Sequence, residues 1–207
     1  MDKEIENLKN DFNISSIFYY GSTVYETNNE KSDIDLIVVG MYENLKLTIS
    51  GIDIKYYSEK NFLNDIENHD LSCLECLWLD KKHIIKNNLF IEFELNKQKL
   101  RNEFSQKSSN SWVKAKKKLT VEKDYSPYIG KKSAWHALRI LDFGKQIAIN
   151  EKIVDYTSCN DLLPKILSCN SWDEINFQYK SLYNKKATEF REAAPKIESN
   201  NSFKSKP

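Results

Sequence analysis

The sequence predicts an α+β fold: a small mixed β-sheet followed by a helical half. Two observations predict it. In the first 58 residues, the segments 14–20, 34–39 and 52–57 are rich in β-branched and aromatic residues or alternate apolar with polar, as strands do. Beyond residue 58 the alternation fades and apolar residues recur at helical spacing.

Residues 3–12 read as a short helix with Ile5, Leu8 and Phe12 on one face. The strand 14–20 ends at Gly21-Ser22, where a brief helix starts. Asn28-Asn29-Glu30-Lys31-Ser32 is a polar loop, and 34–39 is a central strand. Residues 45–49 alternate, Gly51 marks a bulge or turn, and 52–57 alternate again. In that last run Ile52 and Ile54 face one way, Asp53, Lys55 and Tyr57 the other. Ser58 is placed to cap a helix containing Phe62, Leu63 and Ile66, with Glu59 in its first turn. Further helices are predicted at 71–79, 88–104, 110–122 and 131–149, near Pro164, and at 172–192. No internal repeat is visible. The expected organisation is a sheet domain over 1–100, a helical domain over 101–195 and a flexible tail over 196–207.

Of the 207 residues, 29% are charged and 12% aromatic, the composition of a folded chain. No apolar run nears the roughly 20 residues that cross a bilayer. The opening Met-Asp-Lys-Glu-Ile-Glu-Asn is polar and acidic, unlike a signal peptide, so a cytoplasmic location and no membrane partner are expected. Cys73 and Cys76 form a CxxC, but Cys159 and Cys169 do not supply a second pair at zinc spacing. Buried free thiols are the expected state. Charge is unevenly spread: residues 1–96 carry 9 Lys/Arg against 18 Asp/Glu, and 97–132 carry 11 against 3, including Lys114, Lys116, Lys117 and Lys118. An acidic module followed by a basic one hints at a polyanionic partner, although a solvated lysine-rich helix face has the same composition.

The chemistry concentrates in residues 18–40. Asp33 and Asp35 flank Ile34 at the start of an apolar strand, so both carboxylates point to one face about 7 Å apart while Ile34 points to the core. Like charges there repel, and burial raises their pKa values. A divalent cation with oxygen ligands removes the conflict, and Asp53, on the next alternating strand, is the natural third ligand. Three such carboxylates can hold two magnesium ions about 4 Å apart. Gly21-Ser22 supplies backbone N–H groups and a hydroxyl able to cradle a phosphate. Alone, each half has a plainer reading, as a turn or a surface charge pair. In this order they are the equipment of phosphoryl transfer.

Gly21-Ser22, Asp33-Ile34-Asp35-Leu36 and the later Asp53 resemble the nucleotidyltransferase superfamily typified by DNA polymerase β. The stretch from Asp53 through Tyr57-Ser58 to Leu74-Glu75-Cys76-Leu77 is similar to a bacterial and phage subfamily of RNA-repair-pathway, polymerase-β-like proteins. So are Glu103-Phe104-Ser105-Gln106-Lys107, the helix from Trp112 to Leu119, and the run from Lys131 to Gly144, where Lys132, His136 and Arg139 stand at that subfamily's Lys, His and Arg positions. The similarity spans roughly residues 12–150. The 17 residues between Asp35 and Asp53 match the superfamily's minimal members, and the chain after 150 lies outside the resemblance.

The resemblance implies a nucleotidyltransferase catalytic domain over 1–100 that moves a nucleoside monophosphate from an NTP to an acceptor hydroxyl and releases pyrophosphate. It implies Asp33, Asp35 and Asp53 as catalytic residues and ligands of two magnesium ions, with manganese the alternative. Gly21, Ser22, Lys132, His136 and Arg139 are implied nucleotide contacts. Lys132, His136 and Arg139 share one helix face by spacing, and without the resemblance they read as a solvent-facing helix with one satisfied histidine. The basic 97–132 stretch, with Trp112, Tyr125, Tyr128 and Trp135 nearby, favours an RNA acceptor such as a tRNA 3′ end. A protein hydroxyl or a small molecule is the alternative acceptor, and a non-catalytic RNA-binding protein is the rival class.

Overall fold

In the computed structural model, which describes residues 2–30 and 32–196, the predicted strands assemble into a mixed sheet covered on both faces. Its strands are β1 (Ile14–Tyr20), β2 (Ile34–Gly40), β3 (Leu45–Ile49), β4 (Ile52–Ser58) and β5 (Ile84–Asn87), in the order β3-β4-β2-β1-β5. Only β2 and β4 run parallel; β1 pairs antiparallel with β2 and β5, and β3 with β4. Ser50 and Gly51, both at positive φ, join β3 to β4, the backbone that a two-residue hairpin demands.

Side-chain alternation divides the sheet into two faces. Leu36 and Val38 of β2 and Ile52 and Ile54 of β4 join a small core lined by Ile5 and Leu8 of helix α1 (Asp2–Asn10). Ile37, Val39 and Tyr57 join the larger core built by the helical half. That half comprises α2 (Glu59–Glu67), α3 (Leu71–Leu74), α4 (Lys97–Thr120), α5 (Pro127–Asn150), α6 (Leu162–Ser168) and α7 (Trp172–Ala193). Helices α4 and α5 lie side by side, and the buried Ser108 hydroxyl donates to the Ala137 carbonyl at 2.8 Å, so small residues set their close approach. No helix among the described residues is long and apolar enough to cross a membrane.

Several boundaries differ from the sequence-based expectation. Helix α1 stops at Asn10 because Asp11 turns the chain, its carboxylate accepting from the Asn13 amide, and Phe12 is left fully exposed instead of on the core face. The helices predicted at 88–104 and 110–122 are one helix, α4, capped by the Asn96 side chain, which accepts from Gln98 and Lys99 amides. Residues before it are extended: Leu89, Ile91, Phe93 and Leu95 pack on the core while Phe90, Glu92 and Glu94 face out, a period of two. The predicted 71–79 helix is only the one-turn α3, and β5 was not anticipated. Ser58 does cap α2, accepting from the Asn61 amide. The four cysteines are free and buried. The tail over 196–207 lies, except for Lys196, outside the described residues.

Candidate active site

Register alone brings two of the carboxylates together. In the parallel β2–β4 pair Asp35 stands opposite Asp53, and in the antiparallel β1–β2 pair it stands opposite Tyr20, the last residue before Gly21. Because Ile37, Val39 and Tyr57 on the same face pack into the helical core, Asp35 and Asp53 face the cleft between sheet and helices. Asp33 precedes β2 and is exposed, on the other side of Asp35.

Three cavities meet at Asp35. One, of about 290 Å³, adds Asp53, Thr48, Lys46 and Lys55. A second, of about 500 Å³, adds Asp33, Ser32, Ser22, Tyr128 and Lys132. The third, of about 390 Å³, runs from Gly21 and Ser22 to Lys114, Lys132, His136 and Arg139. Asp35 is thus the shared wall between an acidic side and a basic side. Burial, then the charge of Asp53, pushes its carboxyl up to about 6; Lys132 opposes this and Asp33 adds to it. Asp53 is held from the edge strand, accepting the Thr48 hydroxyl at 2.6 Å.

The turn before the strand pair is sterically committed. Gly21 has φ +65°, and a Cβ there would sit 2.3 Å from Asp35 Oδ2. The carboxylate occupies the space that any side chain would take. Gly21→Ala is therefore expected to cost at least about 1–2 kcal/mol through the left-handed backbone alone and to displace Asp35. Thermal unfolding read beside a transfer assay checks this; unchanged values in both would show the approach to be dispensable.

On the opposite wall Lys132 lies over the Tyr128 ring, 5.4 Å from its centre. His136 accepts an N–H of Arg139 at Nδ1 (2.7 Å), and an arginine cannot accept, so the ring is neutral with its proton on Nε2. Burial and the neighbouring cations, Arg139 first, hold its pKa well below the ordinary histidine value. Arg139 itself is only 2% exposed. It lies 3.9 Å from the equally buried Glu75 and stacks 3.3 Å from the centre of the Tyr25 ring. Of the predicted contacts, Gly21, Ser22, Lys132 and His136 line the basic cavity openly, whereas Arg139 forms its floor. Thr48, Lys46, Lys55, Lys114 and Glu75 join the site without having been anticipated. Thr48 was readable, since a two-residue turn at Ser50-Gly51 puts it opposite Asp53.

Whether these residues suit a divalent cation turns on Asp35. Burial first and then the charge of Asp53 raise its pKa, a strain that a bound cation relieves, and every donor is a hard oxygen. The three carboxylates are not closed into a cage: among the described residues no group of three or more His, Cys, Asp or Glu is placed to hold a metal. Magnesium needs only one or two carboxylates when triphosphate oxygens and water complete its shell. The open Asp35–Asp53 pair, with Asp33 at the rim, fits that demand.

The model of the nucleotidyltransferase domain family matches residues 1–134, which takes in the whole sheet and ends inside α5, just past Lys132. In structure the chain is similar to a nucleotidyltransferase-like protein from Exiguobacterium sibiricum 255-15. Identity is 9%, the TM-score is 0.31, and the alignment covers 93% of this chain and 72% of that one. No curated protein matches the sequence.

Proposed function

Since the chain belongs to the nucleotidyltransferase domain family, whose enzymes transfer a nucleoside monophosphate from a triphosphate, we propose that this one transfers it to an RNA hydroxyl, in the cytoplasm. The observation that carries the reading is the Asp35–Asp53 register pair, in which Asp35 also walls the cavity that runs from Gly21-Ser22 to Lys132.

In this reading Asp35, Asp53 and Asp33 hold magnesium, which when bound supplies Lewis-acid polarisation and charge neutralisation for the triphosphate. Ser22, Lys132 and the Nε2 proton of His136 contact the phosphates and favour the charge that builds on the α-phosphate and the leaving oxygen. Arg139 acts through His136 as a positioning residue. Asp53, fixed by Thr48, accepts the proton of the attacking hydroxyl. The new bond joins that oxygen to the α-phosphorus, and the bond to pyrophosphate breaks.

For RNA as acceptor, the support is the surface continuous with the basic cavity. Tyr125 on the α4–α5 connection and Tyr128 in the first turn of α5 are 61% and 54% exposed. They are close in sequence to the end of α4, where Lys117 and Lys118 pair with Asp124 and Lys116 is exposed, a mixture suited to stacked bases and phosphates. The proposed division near residue 100 is one of labour: sheet carboxylates before it, helix cations after it. Incubating the protein with each labelled NTP, magnesium, total RNA and a cell lysate tests the reading. Label in RNA is the expected result; label in protein alone, or in nothing, overturns it.

A further inference from the structure

The cavity on the acidic side contains a pair of cations that nucleotide binding on the α5 side does not use. Lys46 of β3 and Lys55 of β4 are direct cross-strand partners, and the next pair on the same face is Thr48 with Asp53. All four line the 290 Å³ cavity whose far wall is Asp35. Like charges directly opposite on antiparallel strands disfavour the sheet. Among the described residues neither lysine is in an ion pair: Lys55 leans over the Tyr57 ring at 4.6 Å, with its field reaching Asp65 and Asp70, and Lys46 is exposed. A folded chain keeps such a pair at a carboxylate site at some cost, and an anion between the two ammonium groups relieves it.

We propose that Lys46 and Lys55 form an acceptor-end site, gripping the phosphodiester one step upstream of the attacking hydroxyl of a polynucleotide. This rests on the RNA-transfer reading and deepens it. Along β4 the step from Asp53 to Lys55 is two residues, about 6.6 Å, on the order of one backbone repeat of an extended polynucleotide strand. A chain whose 3′ hydroxyl sits at Asp53 therefore brings its last internucleotide phosphate to the lysines. The triphosphate occupies the opposite side of Asp35, on Ser22 and Lys132, so attack and departure lie on opposite sides of the α-phosphorus, as in-line displacement requires. A peptide hydroxyl brings no phosphate to this position and has no use for the pair.

The test is anisotropy of a fluorescent single-stranded oligoribonucleotide with a free 3′ hydroxyl, on the full chain, beside binding of a non-hydrolysable NTP. With Lys46→Ala/Lys55→Ala, oligonucleotide affinity is expected to fall about tenfold. The slope of log affinity against log salt should shrink by about 0.7, the share of one neutralised phosphate on a single strand. NTP affinity should stay unchanged, which also certifies folding; if the double variant unfolds, the exposed Lys46→Ala alone gives half the slope change. Lys46→Arg/Lys55→Arg should restore binding. In a transfer assay the acceptor KM rises and kcat is kept. Unchanged oligonucleotide binding, an equal loss of NTP affinity, or a wild-type protein that binds no oligonucleotide overturns the proposal. Lysine-dependent binding without any transfer to RNA would keep the lysine pair only as a polynucleotide contact, and would overturn its acceptor-end role together with the RNA-transfer reading. Transfer to RNA that does not depend on the lysines would overturn the acceptor-end site alone.

Discussion

Asp35→Asn is expected to lower transfer by at least about 10³-fold, the scale of losing a central electrostatic group, while making the metal-free protein more stable at pH 7. Both effects come from one fact. The Asp35 carboxyl is raised from 3.8 to about 6 by burial and by Asp53, so the folded chain binds its proton more tightly than the unfolded chain does. Stability linked to that proton is full below about pH 4 and is lost as pH rises through 6. At full coupling the loss is about 3 kcal/mol; solvent screening of this partly exposed group reduces it to about 1–2 kcal/mol. Asparagine has no charge to bury, so the variant should melt about 2–8 °C higher at pH 7 and show no gain at pH 4. Magnesium should raise the melting temperature of wild type at pH 7 and barely move the variant. A variant that retains transfer, or that gains as much at pH 4 as at pH 7, would remove Asp35 from the centre of the site.

The acidic half of this site was legible because a strand has only two faces. Asp35 and Asp53 alternate with Ile34, Leu36, Ile52 and Ile54, so their shared face follows once both segments are strands. Their direct juxtaposition follows only from register, which depends on β3 moving to the edge and leaving β4 to pair with β2. The same hairpin delivers Thr48 and the Lys46–Lys55 pair, whose meaning lies in cross-strand neighbours that a linear reading does not place side by side. In the helical half, the polar run from Ser105 to Ser111 masked the continuity of α4. Those small residues read as a break, yet Ser108 is buried against α5 because a close helix contact needs a small side chain there. The run 88–96 shows the opposite failure: its apolar residues suggested a helix, although from Ile91 to Asn96 apolar and polar residues alternate one for one. Spacing placed Lys132, His136 and Arg139 on one face, but not at different depths. Depth is set by Glu75, which arrives from a turn more than sixty residues earlier in the chain.

Glu75→Gln is expected to destabilise the protein by about 3–5 kcal/mol, and Arg139→Met by less. Both partners are 2% exposed, and their 3.9 Å contact is a charge pairing rather than a hydrogen bond: Glu75 Oε1 and Arg139 Nε and Nη1 lack hydrogen-bond partners. The asymmetry arises from what each survivor can do. Arginine cannot shed its proton, so Glu75→Gln strands a full charge among Tyr25, Trp135 and Phe143. Burial already pushes the Glu75 carboxyl up against the pull of Arg139. Without Arg139 that pull is gone, the acid takes a proton, and it keeps the hydrogen bond from the Tyr25 hydroxyl at 2.5 Å. The penalty in Arg139→Met is then small in acid and grows as pH rises through the elevated carboxyl pKa, because only the unfolded chain ionises freely. Denaturant unfolding at pH 5, 7 and 9, each read against wild type at the same pH, separates the cases: the loss in Arg139→Met grows with pH, whereas the loss in Glu75→Gln does not. Equal, pH-independent losses would mean that the two groups do not act as a charge pair. Arg139→Met also frees the Nδ1 of His136, so weaker NTP binding in a variant still folded at pH 5 is the mark of positioning beyond structural support.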